Sequence, residues 1–199
     1  TSINVANMAE LRDLNLANNQ LTAIALNSTK NPLIETLDLS NNPITATSFI
    51  YGQPNLRYLN LSGLDYNSLT LTKNVNLDAL LVANNALKTL TLTATKDISL
   101  IDVRGNKLEK MTMPTDGLPQ LQQLLADDNY LEDLDISAST DINTLTVARN
   151  EISKVSLPTK SHLQVYDCSD NALTFSSLPR KTYMPSVYLD YSNQAPFDI

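Results

Sequence analysis

Residues 80–92 read LLVANNALKTLTL. Leucines return every two or three residues around a pair of asparagines. That spacing matches neither the 3.6-residue period of a helix nor the two-residue period of a strand. The polar pair also needs a reason, because a buried polar group destabilises unless it is hydrogen-bonded.

Working outward, the same frame recurs: apolar, two variable, apolar, one variable, apolar, two variable, Asn, one variable, apolar. Leu11, Leu14, Leu16, Asn19 and Leu21 fill it first, and Leu77, Leu80, Val82, Asn85 and Leu87 fill it in the opening stretch. Complete copies place asparagines at Asn19, Asn42, Asn85, Asn106, Asn129, Asn150 and Asn171, with copies starting 21 to 23 residues apart. Two copies are degenerate. After Leu56, Leu59 and Leu61, Leu64 takes the Asn slot and Tyr66 the next apolar one. Near the end, Met184, Val187 and Leu189 fit the frame while Ser192 replaces Asn.

Behind each asparagine comes a second apolar pair: Ile24/Leu26, Leu69/Leu71, Leu90/Leu92, Met111/Met113, Leu134/Ile136 and Val155/Leu157. This alternation predicts a second short extended segment on the back of each coil. A single coil cannot bury its apolar edge alone, so stacked coils must share one continuous core. About nine coils result, forming one domain over 1–199. Residues 1–10 are an incomplete entry coil and 184–199 a closing segment. The chain opens on Thr1, and we expect a fragment or processed form of a longer protein.

The frame resembles the leucine-rich repeat over nearly the whole chain. The extended back segments are similar to bacterial internalin-like surface proteins. The ending YSNQAPFDI resembles tails of exported leucine-rich-repeat proteins of Bacteroidetes. The resemblance implies a curved, right-handed horseshoe solenoid with a parallel β-sheet on its concave face and mostly extended or turn structure on its convex face. It further implies a non-catalytic recognition or adhesion module that binds a protein partner, host or cell-surface. The location implied is extracellular or cell-surface, an outer-membrane lipoprotein included. Glycan capture in polysaccharide uptake and a purely structural spacer are the alternatives.

Composition is compatible with that class. A formal charge of −7 and a pI near 4.6 disfavour nucleic acid and anionic membrane as partners. No apolar run reaches the roughly 18 residues that span a bilayer. The single cysteine, Cys168, excludes an intramolecular disulfide, and it occupies a core slot where thiols behave as small hydrophobes.

Candidate chemistry is sparse. The repeated asparagines fall where the chain leaves a strand and turns inward, so they read as a ladder pairing buried backbone groups rather than as catalysts. The only histidine, His162, lies in a polar loop. No GxSxG, HExxH, CxxC or phosphate-cradling glycine loop occurs, which argues against an enzyme and against a cofactor. Asp102, Asp127 and Asp128 raise a calcium reading, but their spacing fits no cation loop and a solvated edge is the simpler account. Lys30, Lys73, Lys96 and Lys160 form a weak basic row between coils.

Strand alternation turns the variable residues toward the concave face. The central column reads Asn15, Asp38, Asn60, Leu81, Asp102, Leu125, Thr146, Asp167 and Tyr188. Against this small, polar background, Tyr58, Leu81, Leu100 and Leu125 fall in four successive coils. They predict an exposed apolar band with Asp102, Arg104 and Asp127 on its rim, the kind of patch that marks an interface.

Overall fold

The computed structural model describes residues 1–50, 53–160, 162–174, 176–178 and 188–196. Three-residue strands, numbered in chain order, supply all of its regular structure, and no helix occurs among the described residues.

Nine strands form one parallel sheet, one per coil. In order they are β2 (Asp13–Asn15), β4 (Thr36–Asp38), β5 (Tyr58–Asn60), β7 (Ala79–Leu81), β9 (Leu100–Asp102), β11 (Gln123–Leu125), β13 (Thr144–Thr146), β15 (Val165–Asp167) and β16 (Tyr188–Asp190). Their central residues enter the core: Leu37, Leu59, Leu80, Ile101, Leu124, Leu145 and Tyr166 are all fully buried. Each such side chain contributes about 2 kcal/mol of hydrophobic stabilisation, and stacking places them in one continuous column.

The expected back segments are present. They are β1 (Ser2–Asn4), β3 (Ala23–Ala25), β6 (Ser68–Thr70), β8 (Thr89–Thr91), β10 (Lys110–Thr112), β12 (Asp133–Asp135) and β14 (Lys154–Ser156). They pair in three separate groups: β1–β3, β6–β8–β10 and β12–β14. β1 pairs in register with β3, so the entry residues supply the back half of a coil. Between β3 and β6 the coil over 34–55 breaks the alternation. Phe49 and Ile50, adjacent in sequence, are both buried, and Ile50 N donates to Thr47 O in a turn.

The asparagine ladder connects the coils as expected. Asn106 Nδ2 reaches the carbonyls of Val103 (2.8 Å) and Arg104 (3.4 Å) in its own coil and Val82 (3.0 Å) in the preceding one. Its Oδ1 accepts the Leu87 N–H at 3.0 Å. Asn42, Asn85, Asn129, Asn150 and Asn171 repeat this pattern of donors to both coils and an acceptor toward the preceding one. Asn19 bonds to Leu16 O and Ala17 O of its own coil. Where Leu64 interrupts the ladder, Asn85 Oδ1 accepts from both Leu64 N and Tyr66 N.

The residue before each rung is just as constrained. Asn18, Asn41, Gly63, Asn84, Gly105, Asp128, Arg149, Asp170 and Asn193 all adopt φ between 53° and 69°. Asparagine, aspartate and glycine tolerate this left-handed region best. At Gly63 a Cβ would lie 2.4 Å from Asn41 Oδ1, so a larger residue there would make that side chain shift. The asparagine pair in the opening stretch therefore divides its work: Asn84 makes the left-handed turn and Asn85 is the rung.

The last coil corrects the expected register. Tyr188 pairs with Val165, Leu189 with Tyr166 and Asp190 with Asp167. The frame is shifted by two residues from the one built on Met184, Val187 and Leu189, of which the first two lie outside the described residues. Ser192 is not the rung. Gln194 is: Nε2 donates to Cys168 O, Tyr191 O and Ser192 O, while Oε1 accepts Leu173 N at 2.8 Å. A longer amide does the same work as Asn, and the search for Asn passed over it.

Candidate functional site on the concave sheet

The first and third residues of each concave strand face outward. At most positions in the third-residue column a polar side chain closes a small turn at the strand exit. Oδ1 of Asn15, Asp38, Asn60, Asp102, Asp167 and Asp190 each accepts the N–H two residues on. These Asx turns satisfy backbone donors where pairing ends, so most of the polar concave surface is architectural. Asp190, not Tyr188, completes this column.

The exceptions are Leu81, Leu125 and Thr146. Asp102 lies between the two leucines in the sheet, paired with Leu81 on one side and Leu125 on the other. It is buried to 6% exposure, and its carboxylate accepts from Arg104 Nε at 2.9 Å and Nη2 at 2.6 Å. That fork fixes the half-exposed guanidinium beside Asp102. The hydrogen bonds to Asp102 raise the Arg104 pKa, with the nearby Asp127 charge acting in the same direction.

Asp127 compensates for the missing Asx residue in the next coil. Its Oδ2 accepts from Thr146 Oγ1 at 2.8 Å and its Oδ1 from Ala148 N at 2.8 Å. Burial raises its pKa above the usual carboxylate value, and these two hydrogen bonds oppose the rise. Asp128 turns the other way, to a two-pronged pair with Arg149 at 2.6 and 2.7 Å that lowers its pKa. Asp102, Asp127 and Asp128 are thus each committed to a different donor set, and the structure does not bring them together as a cation site.

Tyr58, Leu81, Leu100 and Leu125 occupy four adjacent strands in a zigzag, with Tyr58 and Leu100 in the first-residue column. All four are half-buried rather than exposed. Close lateral spacing, about 4.8 Å between strands, makes neighbouring side chains cover one another. The band is flatter and less greasy than the sequence suggests. Burial raises the Tyr58 pKa, as does the Asp38 carboxylate, against a hydrogen bond with Asn60.

The remaining chemical candidates have structural partners. His162 Nδ1 donates to Thr140 O at 3.2 Å. Cys168 is fully buried, and burial pushes its thiol pKa up to about 11. The Tyr166 hydroxyl lies against that thiol, buried and without a hydrogen bond of good geometry. Of the basic row, Lys96 pairs with Asp116 at 2.9 Å.

Two further sets escaped the sequence reading. Asn31, Gln53, Asn74, Thr95 and Ser139, each three residues before a repeat start, form a buried polar column at the back. Their shared spacing is the signal, masked by their differing types. On the side edge, polar residues flanking each repeat start line two clefts around Arg57.

Comparison with known proteins agrees with this architecture. A family model described as Leucine Rich repeat matches residues 30–48. No curated protein sequence matches the chain. Among solved structures, the functional domain of InlJ from Listeria monocytogenes, which includes a cysteine ladder, superposes with a TM-score of 0.83 at 22% identity. It covers 94% of this chain and 40% of that one. YopM from Yersinia enterocolitica gives 0.74 at 24% identity, over 85% of this chain and 35% of that one. The leucine-rich-repeat ectodomain of the Arabidopsis thaliana receptor kinase GASSHO1/SCHENGEN3, in complex with CASPARIAN STRIP INTEGRITY FACTOR 2, gives 0.69 at 21% identity. There the coverage is 85% of this chain and 22% of that one. The chain spans less than half the length of each of these three. The fold is that of a leucine-rich-repeat solenoid, internalin-like, with no helix among the described residues.

Proposed function

We propose that this chain is a non-catalytic recognition module of a bacterial surface or secreted protein, binding a protein partner through the concave sheet. The observation that supports this most is the Leu81–Asp102–Leu125 arrangement with Arg104 paired to Asp102. At most other positions in the column a polar residue closes the strand exit, whereas here two leucines give up that role and flank the carboxylate that holds a guanidinium. Arginine between apolar side chains is a common anchor of protein interfaces. The plant ectodomain, captured with a bound factor, is an example of this fold carrying a partner.

Asn15 and Asn60 occupy the same column, so Leu81→Asn with Leu125→Asn is the variant least disruptive to the fold. Crosslinking and mass spectrometry should identify a protein captured by the parent chain and lost by this variant, with unchanged circular dichroism in both. Equal capture by the two would refute binding at this face and leave a spacer role as the better account.

A further inference from the structure

We infer that the concave sheet takes an extended basic segment of a protein partner, apolar at its centre and bearing lysine or arginine toward both ends. This rests on the reading of that sheet as the binding face and adds the chemistry of the occupant. The outward first and third residues of the nine concave strands include Asp13, Asp38, Asp102, Asp167 and Asp190, but no lysine, arginine or histidine. At the same positions the seven described back strands carry Lys110 and Lys154 against Asp133 and Asp135, so their charges balance. Much of the chain's formal charge of −7 is therefore gathered on one face.

The fold does not call for that charge. An Asx turn needs one side-chain oxygen, and Asn15 and Asn60 supply it without charge. Asp38, Asp167 and Asp190 close the same turn through Oδ1, so their negative charge is surplus to the architecture. It also opposes folding, because like charges held on one face repel. Burial dominates the raised pKa of Tyr58 and of Asp127, and the carboxylates of Asp38 and Asp167 respectively add to it. A partner of opposite charge relieves this repulsion and is steered toward the face.

Placement sets the pattern the partner must bring. Tyr58, Leu81, Leu100 and Leu125 occupy the middle strands, β5 to β11. Asp13 and Asp38 lie to one side on β2 and β4, and Asp167 and Asp190 to the other on β15 and β16. Between them, Arg104 neutralises the buried Asp102 carboxylate. The face is thus apolar in the middle and anionic toward both ends. Asp38 and Asp167 are six strand intervals apart, roughly 29 Å along the sheet, which an extended peptide spans in about nine residues.

Isothermal titration with a synthetic twelve-residue peptide, two lysines at each end and an alternating leucine and serine centre, tests the match. The parent chain should bind it, with affinity falling as salt rises. A counterpart with glutamate ends should not bind, and one with a glycine and serine centre should bind about tenfold more weakly. The triple variant Asp13→Asn, Asp167→Asn, Asp190→Asn should also lose about tenfold, with unchanged circular dichroism, because asparagine keeps the turns at 167 and 190. No binding by the parent chain, equal affinity in the triple variant, or preference for glutamate ends would overturn the proposal. Crosslinking to a natural partner separates this failure from that of the broader reading. A protein lost by Leu81→Asn with Leu125→Asn, yet held at full affinity by the triple variant, would keep the concave face and refute a basic occupant. One lost by both variants would support it.

Discussion

The two faces of each coil are built from the same three-residue parallel strands, yet they differ in continuity. On the concave side nine strands pair without a break, while the seven described on the convex side fall into three groups. The difference follows from what lies between the strands. Most concave strands end in an Asx turn or its substitute, then a left-handed residue, then an amide rung, which in six of the coils is an asparagine bonded to two coils. On the back, the polar column does this only in part: Asn31 Nδ2 donates to Val5 O and Met8 O, and Asn74 Nδ2 to Ile50 O. That column is only partly satisfied, since Gln53 Oε1 and Asn74 Oδ1 are buried without a partner. Pairing runs unbroken where a ladder holds the coils together and is interrupted on the back, although the convex strands that do pair remain in register.

That contrast is broken most severely at a rung. Asn106→Ala would leave the Leu87 N–H buried and unpaired and would strip donors from Val82 O and Val103 O. A loss of about 3 kcal/mol is expected in urea unfolding, since unmet buried groups each carry about 1–3 kcal/mol. The matching change on the back, Asn74→Leu, removes one bond to Ile50 O together with an orphaned oxygen. Its expected effect is below about 1 kcal/mol of either sign, because deleting an unsatisfied polar atom offsets the lost bond. Equal losses from the two variants would contradict the idea that only the front ladder sets the stacking.

The same asymmetry explains what could be read from the sequence. The rungs and both apolar frames were legible because one residue type or class returns at a fixed interval. The back column was not, since amides and hydroxyls of several lengths share one slot. Gln194 was missed for a related reason. Met184, Val187 and Leu189 satisfy the apolar frame, and only strand pairing and the amide bonds show the shift of two residues. The half-burial of Leu81, Leu100 and Leu125 depends on neighbours in other coils, which no single repeat reveals.

A smaller effect distinguishes Asp127, turned onto the concave sheet, from Asp128, turned off it. Burial raises the Asp127 pKa in the folded state, so the folded chain binds that proton more tightly and stability from this group rises as pH falls through the folded value. Asp128 has a lowered pKa from its Arg149 pair, so its contribution is present above the unfolded value near 3.9 and is lost as pH falls through the folded value. Urea midpoints from pH 3 to 7 should show Asp128→Asn losing part of the acid-induced destabilisation. Asp127→Asn should instead show more of it, because relief of the buried charge is gone. Parallel curves for the two variants would contradict these assignments.

The smallest expected effect falls at Arg149, the one long cation in the left-handed column. A side chain of this kind is strained there by about 1 kcal/mol relative to asparagine. Its pair with Asp128 is solvent-exposed, with both side chains about half accessible, and such pairs contribute about 0.2–1 kcal/mol. Arg149→Asn exchanges one effect for the other, so the thermal midpoint should move by less than about 2 °C. Adding salt sharpens the comparison, because screening weakens the ion pair and leaves backbone strain untouched. The parent chain should lose stability relative to Arg149→Asn as salt rises. A gap between them that does not change with salt would mean that Arg149 is held by the turn and not by Asp128.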